Sequence, residues 1–494
     1  MPNKLRERLV EFTTNDKQYP ILSALGAGLY PLIYYYNNNF SLVNSWGQFV
    51  LFVLWFLVVP IVVFQIVSVI SKKVLSQKKY GYVLPVLNFV LFGGLMILST
   101  YGVGKKRYLL VTVAALGLGF LLQKHFKKIL VIQFILILLA VPKLIANIQR
   151  HVSYDRTWMS LSDNIEEVKF TRKPNVYVIQ PDGYPNFEEL KRGYYNFDNS
   201  QLEGFLQDNG FTLYEGFRSN YFSTLSSNSS MFAMKHHYYN NPPKGENEFY
   251  NARDIIVGQN SVVPVFKKNG YNTSLLLEKS YLLLNKPELQ YDFCNIAQDD
   301  LSFLARGFEI TKDLKADLEN SLQNQTNEPN FYFIEKISPG HITTYKNRSL
   351  GKEKERLNYL EKLKSANDWL KEMVQLIQTH DDNALIVIVA DHGGFVGMDY
   401  TLECKEKQTN RDLIYSIFST ALAVKWPENP MNYDKDLKTN VNLFRVLFSY
   451  LSENPKYLEN LESDTSFVVL KEGAPFGVYQ YIDEEGEVVF LRKE

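Results

Sequence analysis

The stretch "NALIVIVADHGG", Asn383–Gly394, decides the fold class. After Asn383 it runs as unbroken apolar residues to Ala390, with no polar alternation. Such a run predicts a strand buried on both faces, as happens where helices cover both sides of a parallel sheet. It then breaks into Asp391-His392-Gly393-Gly394. Two polar side chains at the end of a buried strand need partners, and a divalent cation satisfies both.

The same grammar recurs on either side. "NVYVIQ", Asn175–Gln180, lies between Pro174 and Pro181 and leads into Asp182-Gly183. "FYFIE", Phe331–Glu335, leads into "KISPGHI", which holds His341. Helices are expected for "NSQLEGFLQDNG", stopped by Gly210, for "SVVPVFKKNG" ahead of a strand "TSLLLE", for about Lys352–Gln378, and for "NVNLFRVLFSYL". "TALAVKW" is a further strand candidate, and the tail predicts short antiparallel strands turning at Glu484–Gly486. Alternating helices and buried strands predict an α/β domain with a largely parallel sheet flanked by helices. Ligands bind such sheets beyond the carboxyl ends of the strands. Asp182, Asp391, His392 and His341 all follow predicted strand ends, which makes them the site candidates.

A hydroxyl would complete the set. "RSNYFSTLSSNSSMF", Arg218–Phe232, is crowded with serine and threonine. "SSNSSMFAMKHHYY" has helix character, and most of these hydroxyls are expected to cap and turn the chain. Thr224 falls just ahead of that helix, where backbone N–H groups favour an anion. Two carboxylates, an imidazole and a hydroxyl suit one Zn²⁺ or Mn²⁺, which would hold the hydroxyl as its alkoxide. Of the other histidines, the pair His236/His237 reads as a helix C-terminus.

The composition is lopsided. Five apolar segments precede residue 150: Pro20–Tyr36, Val50–Ile70, Gly81–Val103, Tyr108–Leu122 and Ile129–Ala146. A bilayer core takes about 20 apolar residues per helix, so five transmembrane helices are expected. Lys4, Arg6 and Arg8 precede the first span, Lys72, Lys73, Lys78 and Lys79 follow the second, and Lys124, Lys127 and Lys128 follow the fourth. The positive-inside rule places those loops in the cytoplasm. The loop with Lys105, Lys106 and Arg107 disagrees, but three loops outvote one. Five crossings put the rest of the chain outside the cytoplasm. The expected organisation is a transmembrane domain over 1–150, a juxtamembrane connector over 151–173 and a catalytic domain over 174–494. Lys and Arg number 53, as do Asp and Glu, so bulk charge gives no case for nucleic-acid binding. Cys294 and Cys404 form no CxxC, which disfavours a thiolate zinc site; sequence leaves their pairing open.

Taken together these features resemble the alkaline phosphatase/sulfatase superfamily, and within it the membrane-anchored phosphotransferases: lipoteichoic acid synthases and lipid A phosphoethanolamine transferases. "VIQPDGYP" is similar to the family's first acidic ligand, which implies that role for Asp182. "VADHGG" is similar to its Asp-His-Gly, which implies Asp391 and His392 as ligands. "SPGHITTY" sits where the family keeps a histidine contacting substrate phosphate, hence His341. The phosphoethanolamine transferases carry a Thr with Ser three residues later and Met-Phe seven later. That register selects Thr224, Ser227 and Met231-Phe232 and implies Thr224 as nucleophile and metal ligand. The resemblance implies a bacterial inner-membrane enzyme. It would move a phosphate-linked head group from a phospholipid donor to an envelope glycan or glycolipid, through a phospho-threonine. Three departures stand. The Cys/Ser-x-Pro/Ala-x-Arg motif of sulfatases is missing. Ile337 stands where two-metal relatives have Asp. No histidine follows His392. One metal is therefore expected, and His236, His237, Lys336 or Arg218 would have to assist the leaving alcohol or the acceptor. The rivals are a phosphodiesterase or phosphatase of the same fold, and a non-catalytic envelope scaffold.

Overall fold

In the computed structural model the described residues are 2–102, 104–240, 249–302, 304–430 and 432–493. Val103, the end of the third expected span, lies outside them. The chain divides into two compact units, Met1–Asp155 and Arg156–Glu494.

The first unit is helical. Three of its helical runs are long and apolar enough to cross a membrane: Trp46–Val74, Gln77–Tyr101 and Gln123–Met159. Helices also cover Pro20–Asn39 and Lys105–Leu121, where the other two spans are expected. The run Trp46–Val74 passes through a π turn at Leu54–Val58, just before Pro60. Proline has no N–H for the Phe56 carbonyl four residues back. Gly28 packs against that carbonyl; a Cβ there would lie 1.9 Å from it. The amides of Asn88 and Gln133 exchange bonds of 3.1 and 2.9 Å, and Asn88 also donates to the Ser23 carbonyl at 2.7 Å. These neutral contacts join three helices without burying charge.

The second unit is α/β. Its main sheet has seven strands: β1 (Val176–Pro181), β2 (Thr212–Leu213), β3 (Asn272–Leu277), β4 (Phe293–Cys294), β5 (Asn330–Lys336), β6 (Leu385–Val389) and β7 (Leu422–Lys425), in the order β2-β7-β6-β1-β5-β3-β4. From β6 to β4 all pairings are parallel, while β7 runs antiparallel to β6 and to β2. Three further strands, β8 (Ser466–Leu470), β9 (Gly477–Ile482) and β10 (Val488–Arg492), form the antiparallel sheet expected of the tail.

Alternate side chains of each central strand enter separate cores. Tyr177, Ile179, Tyr332, Ile334, Ile386 and Ile388 face one side. Val176, Val178, Phe331, Phe333, Leu385 and Val387 face the other. The first core is covered by the long helix Lys352–His380, which presents Tyr359, Leu363, Ala366, Leu370, Val374 and Ile377 at helical spacing. The second core is covered partly by Leu443–Ser452 and by the short helix Thr224–Ala233, through Leu225, Met231 and Phe232. Double coverage explains why β6 tolerates no polar residue. Within the segment expected to be a connector, Ile165, Val168 and Phe170 are buried in the second core.

Candidate metal centre

Strands β1, β5 and β6 end at one edge of the sheet, and their following loops converge there. Asp182 leaves β1, Asp391 and His392 leave β6, and His341 follows the loop after β5. Gly183 sits at φ +68°, and a Cβ on it would lie 1.9 Å from the Gly340 carbonyl oxygen. Only glycine lets the two loops close on each other. The seam is stitched by the Gly340 N–H donating to the Asp182 carbonyl at 2.8 Å.

Donor atoms of Asp182, Asp391 and His392 lie within 4.8 Å of one another, and all three residues are buried. Asp391 Oδ1 accepts from the backbone N–H groups of Gly183 and His392, each at 3.0 Å. Its Oδ2 has no hydrogen-bond partner, and neither does Asp182 Oδ1. His392 Nδ1 donates to the Gly393 carbonyl at 2.8 Å, which leaves Nε2 without a proton in the neutral ring. That Nε2 lies 3.4 Å from Asp391 Oδ2 and 3.7 Å from Asp182 Oδ1. Three electron-rich atoms facing one another in a buried place need a positive charge between them. Carboxylate, carboxylate and imidazole suit zinc or manganese, so the donor set fits a divalent metal.

The protonation pattern records the same deficit. Burial, and next the charge of Asp391, push the Asp182 carboxyl up to about 7. His392 is raised although burial works against it, because Asp391 and Asp182 hold its proton. His341 moves the other way. Burial, and then His392, lower it to about 4. Its Nδ1 donates to the Ile342 carbonyl at 2.6 Å, and its ring centre lies 6.0 Å from that of His392.

The serine-rich stretch resolves into one hydroxyl at the centre and others in structural bonds. Thr224 Oγ1 lies 3.4 Å from Asp182 Oδ2 and 3.3 Å from His392 Nε2. Ser219 bonds the Tyr221 carbonyl, Ser226 that of Ser223, Ser229 that of Leu225 and Ser230 that of Lys235. Ser227 accepts from Asn440. The helix begins at Thr224 itself, two residues earlier than expected, because Ser223 is the extended residue before it.

The residues considered as assistants are engaged elsewhere. His236 bonds Tyr221 and the Ser463 carbonyl, and His237 the Ser226 carbonyl and the Tyr239 N–H. Arg218 donates to the carbonyls of Asp464 and Asp483, and Lys336 pairs with Glu278 at 3.1 Å. Cys294 and Cys404 are unpaired.

Several polar residues behind the centre carried no sequence signal. The Asn440 amide donates to Ser227 Oγ and to the Ala390 carbonyl, tying the end of β6 to the Thr224 helix. Gln180 and Asn228 exchange two amide bonds of 2.9 and 2.7 Å. Glu335 is fully buried with both carboxylate oxygens unpartnered, and burial, then Asp182, hold it well above the usual carboxylate range.

Comparison with known proteins gives a family. Solved structures of similar shape include the C-terminal periplasmic domain of EcEptC from Escherichia coli in complex with Zn, at 11% identity and TM-score 0.43, covering 64% of this chain and 93% of that one. The corresponding domain of phosphoethanolamine transferase EptC from Campylobacter jejuni is 15% identical, with TM-score 0.37, over 62% of this chain and 97% of that one. The integral membrane lipooligosaccharide phosphoethanolamine transferase A from Neisseria meningitidis is 11% identical, with TM-score 0.39, over 87% and 95%. No curated protein matches the sequence. The sulfatase family model matches residues 191–439, half of the chain, and the protein therefore belongs to the sulfatase family.

Proposed function

We propose that this protein is a membrane-anchored phosphotransferase in which Thr224 is the nucleophile. It would carry a phosphate-linked head group from a membrane phospholipid to an envelope glycan or glycolipid. The observation that carries the reading is the position of Thr224 Oγ1, within 3.4 Å of both Asp182 and His392, while the neighbouring serines bond carbonyls or other side chains. A zinc or manganese ion held by Asp182, Asp391 and His392 would lower the pKa of a hydroxyl beside it and offset phosphate charge.

The chain's own groups supply the rest. Thr224 opens a helix whose Ser223 makes no side-chain cap, so its first backbone N–H groups would be available to the incoming phosphate. The Thr224 oxygen attacks phosphorus, the bond to the diacylglycerol oxygen breaks, and diacylglycerol leaves with a proton. An acceptor hydroxyl then attacks phosphorus and frees Thr224. Burial keeps His341 neutral until an anion arrives, and a phosphate oxygen beside it would draw a proton onto the ring. Anchoring by the first unit, with five spans, would keep the site near its lipid. A second unit outside the cytoplasm fits three of the four charged loops, and the resemblance implies a bacterial inner membrane.

Incubating the full-length protein with labelled phospholipid tests this. Diacylglycerol release that depends on Thr224 and on metal supports it; release that survives Thr224→Ala contradicts it. A second reading, a phosphodiesterase with water as acceptor, is favoured by Asp182-Gly183, which resembles the phosphodiesterase relatives. Head-group transfer to glycan in the same incubation separates the two.

A further inference from the structure

The helix Thr224–Ala233 is pinned on three sides just after its first residue. Asn440 donates to Ser227 Oγ at 3.0 Å, and Asn228 exchanges amide bonds with Gln180. The third bond comes from His237, whose Nε2 donates to the Ser226 carbonyl at 2.9 Å. Residues 226, 227 and 228 project about 100° apart around a helix, so the three bonds together fix its rotation. Thr224 Oγ1 is left with Asp182 and His392. An atom about 4 Å from a helix axis moves by about 1 Å when the helix turns by roughly 15°. A displacement of that size costs on the order of 100-fold in rate.

His237 is held firmly enough to serve as such a prop. The chain reverses at Met234, φ +51°, and runs back along the helix to its first turn. Tyr238, Tyr239 and Asn240 follow in the left-handed region, at φ +44°, +58° and +48°. Three such residues in a row, each with a Cβ, need support from their surroundings. The Tyr221 hydroxyl accepts from the N–H groups of His237 and Tyr238 at 3.1 and 3.0 Å. His237 Nδ1 accepts from the Tyr239 N–H at 2.8 Å, which puts the ring proton on Nε2. Burial lowers the pKa of this ring to about 3, so it stays neutral and keeps that tautomer. Tyr221 and Phe249 sandwich the ring at centroid distances of 3.9 and 3.8 Å, and Trp158 stands edge-on at 5.8 Å. Stacking alone would be served by phenylalanine. What histidine adds is an acceptor for Tyr239 and a donor for Ser226.

We infer that His237 is a positioning residue: its bond to Ser226 sets the rotation of the helix and so aims Thr224 Oγ1 at Asp182 and His392. The inference rests on the phosphotransfer reading for what Thr224 then does. Two variants of the full-length protein divide the ring's two bonds. His237→Gln keeps a donor that reaches Ser226, while His237→Asn keeps only the acceptor for Tyr239. Release of diacylglycerol from labelled phospholipid should fall about 100-fold in kcat in His237→Asn, with KM within about threefold. In His237→Gln kcat should stay within about tenfold of wild type. A purely structural role predicts equal kcat in the two, with melting temperature alone moving. The visible spectrum of the cobalt-substituted protein gives a readout apart from turnover. That of His237→Asn should resemble Thr224→Ala, and that of His237→Gln the wild type. Where His237→Asn does not fold, Phe249→Leu, which only loosens the sandwich, is compared with wild type in its place. Equal kcat in the compared pair overturns the inference when Thr224→Ala abolishes release. Release that survives Thr224→Ala refutes the transfer reading by itself; spectra that do not separate the pair then overturn the positioning as well.

Discussion

Thr224 owes its reach to Ser223. An extended Ser223 turns the chain so that the first helical side chain, rather than any of the serines after it, meets Asp182 and His392. Removing that hydroxyl should cost on the order of 10⁴-fold or more in diacylglycerol release, as loss of a nucleophile does elsewhere. Zinc content of Thr224→Ala, read by metal analysis, should stay close to wild type, because two carboxylates and an imidazole remain. Asp182 adds a pH dependence. Its folded pKa of about 7 stands above the ordinary 3.8. Without metal, its contribution to stability is therefore full at low pH and is lost as pH rises through about 7. A metal competes with that same proton. The rise in melting temperature on adding zinc to chelator-treated protein should be larger at pH 8 than at pH 5.5, and Asp182→Asn should shrink the difference. Equal rises at the two pH values would contradict the assignment. These residues were visible in the sequence because each follows an apolar strand or opens a helix, and that position is itself a pattern.

The strands show where such legibility ends. β6 is apolar throughout and β1 and β5 are apolar along their middles, with polar residues only toward the ends, because both faces are covered. The loops that bring His341 beside His392 have no periodicity, and the contact depends on Gly183 meeting Gly340 across two elements. The layer behind the centre was equally hidden. Gln180 reads as the polar end of a strand and Asn228 as one hydrophilic residue among serines, yet their amides satisfy each other inside the protein. Asn228→Ala strands the Gln180 amide in a dry place and should cost about 1–3 kcal/mol of stability. Urea unfolding would show it. The double variant Gln180→Leu with Asn228→Leu, which removes both amides, should recover part of that loss, whereas a buried pair of no consequence would leave all three proteins alike.

At the scale of the whole molecule, each unit has its own core. The expected connector contributes Ile165, Val168 and Phe170 to the second unit, so a cut at residue 174 would strip apolar cover from the sheet. A chain of residues 156–494 should unfold cooperatively and bind zinc, while 174–494 should melt lower; calorimetry of the two separates them. With the helical unit gone, cleavage of lipid in vesicles should fall far more than cleavage of a soluble phosphodiester, because proximity to the donor is what the anchor supplies. In the proposed phosphotransfer the covalent step falls to one side chain, Thr224. Its most direct measurement is the mass of the full-length protein after a brief incubation with phospholipid, followed by tryptic mapping of the peptide Ser219–Lys235. A head-group phosphate on Thr224, absent when metal is chelated, is the expected result. Continued release of diacylglycerol with Thr224 unmodified, or with the adduct on another residue, would contradict it.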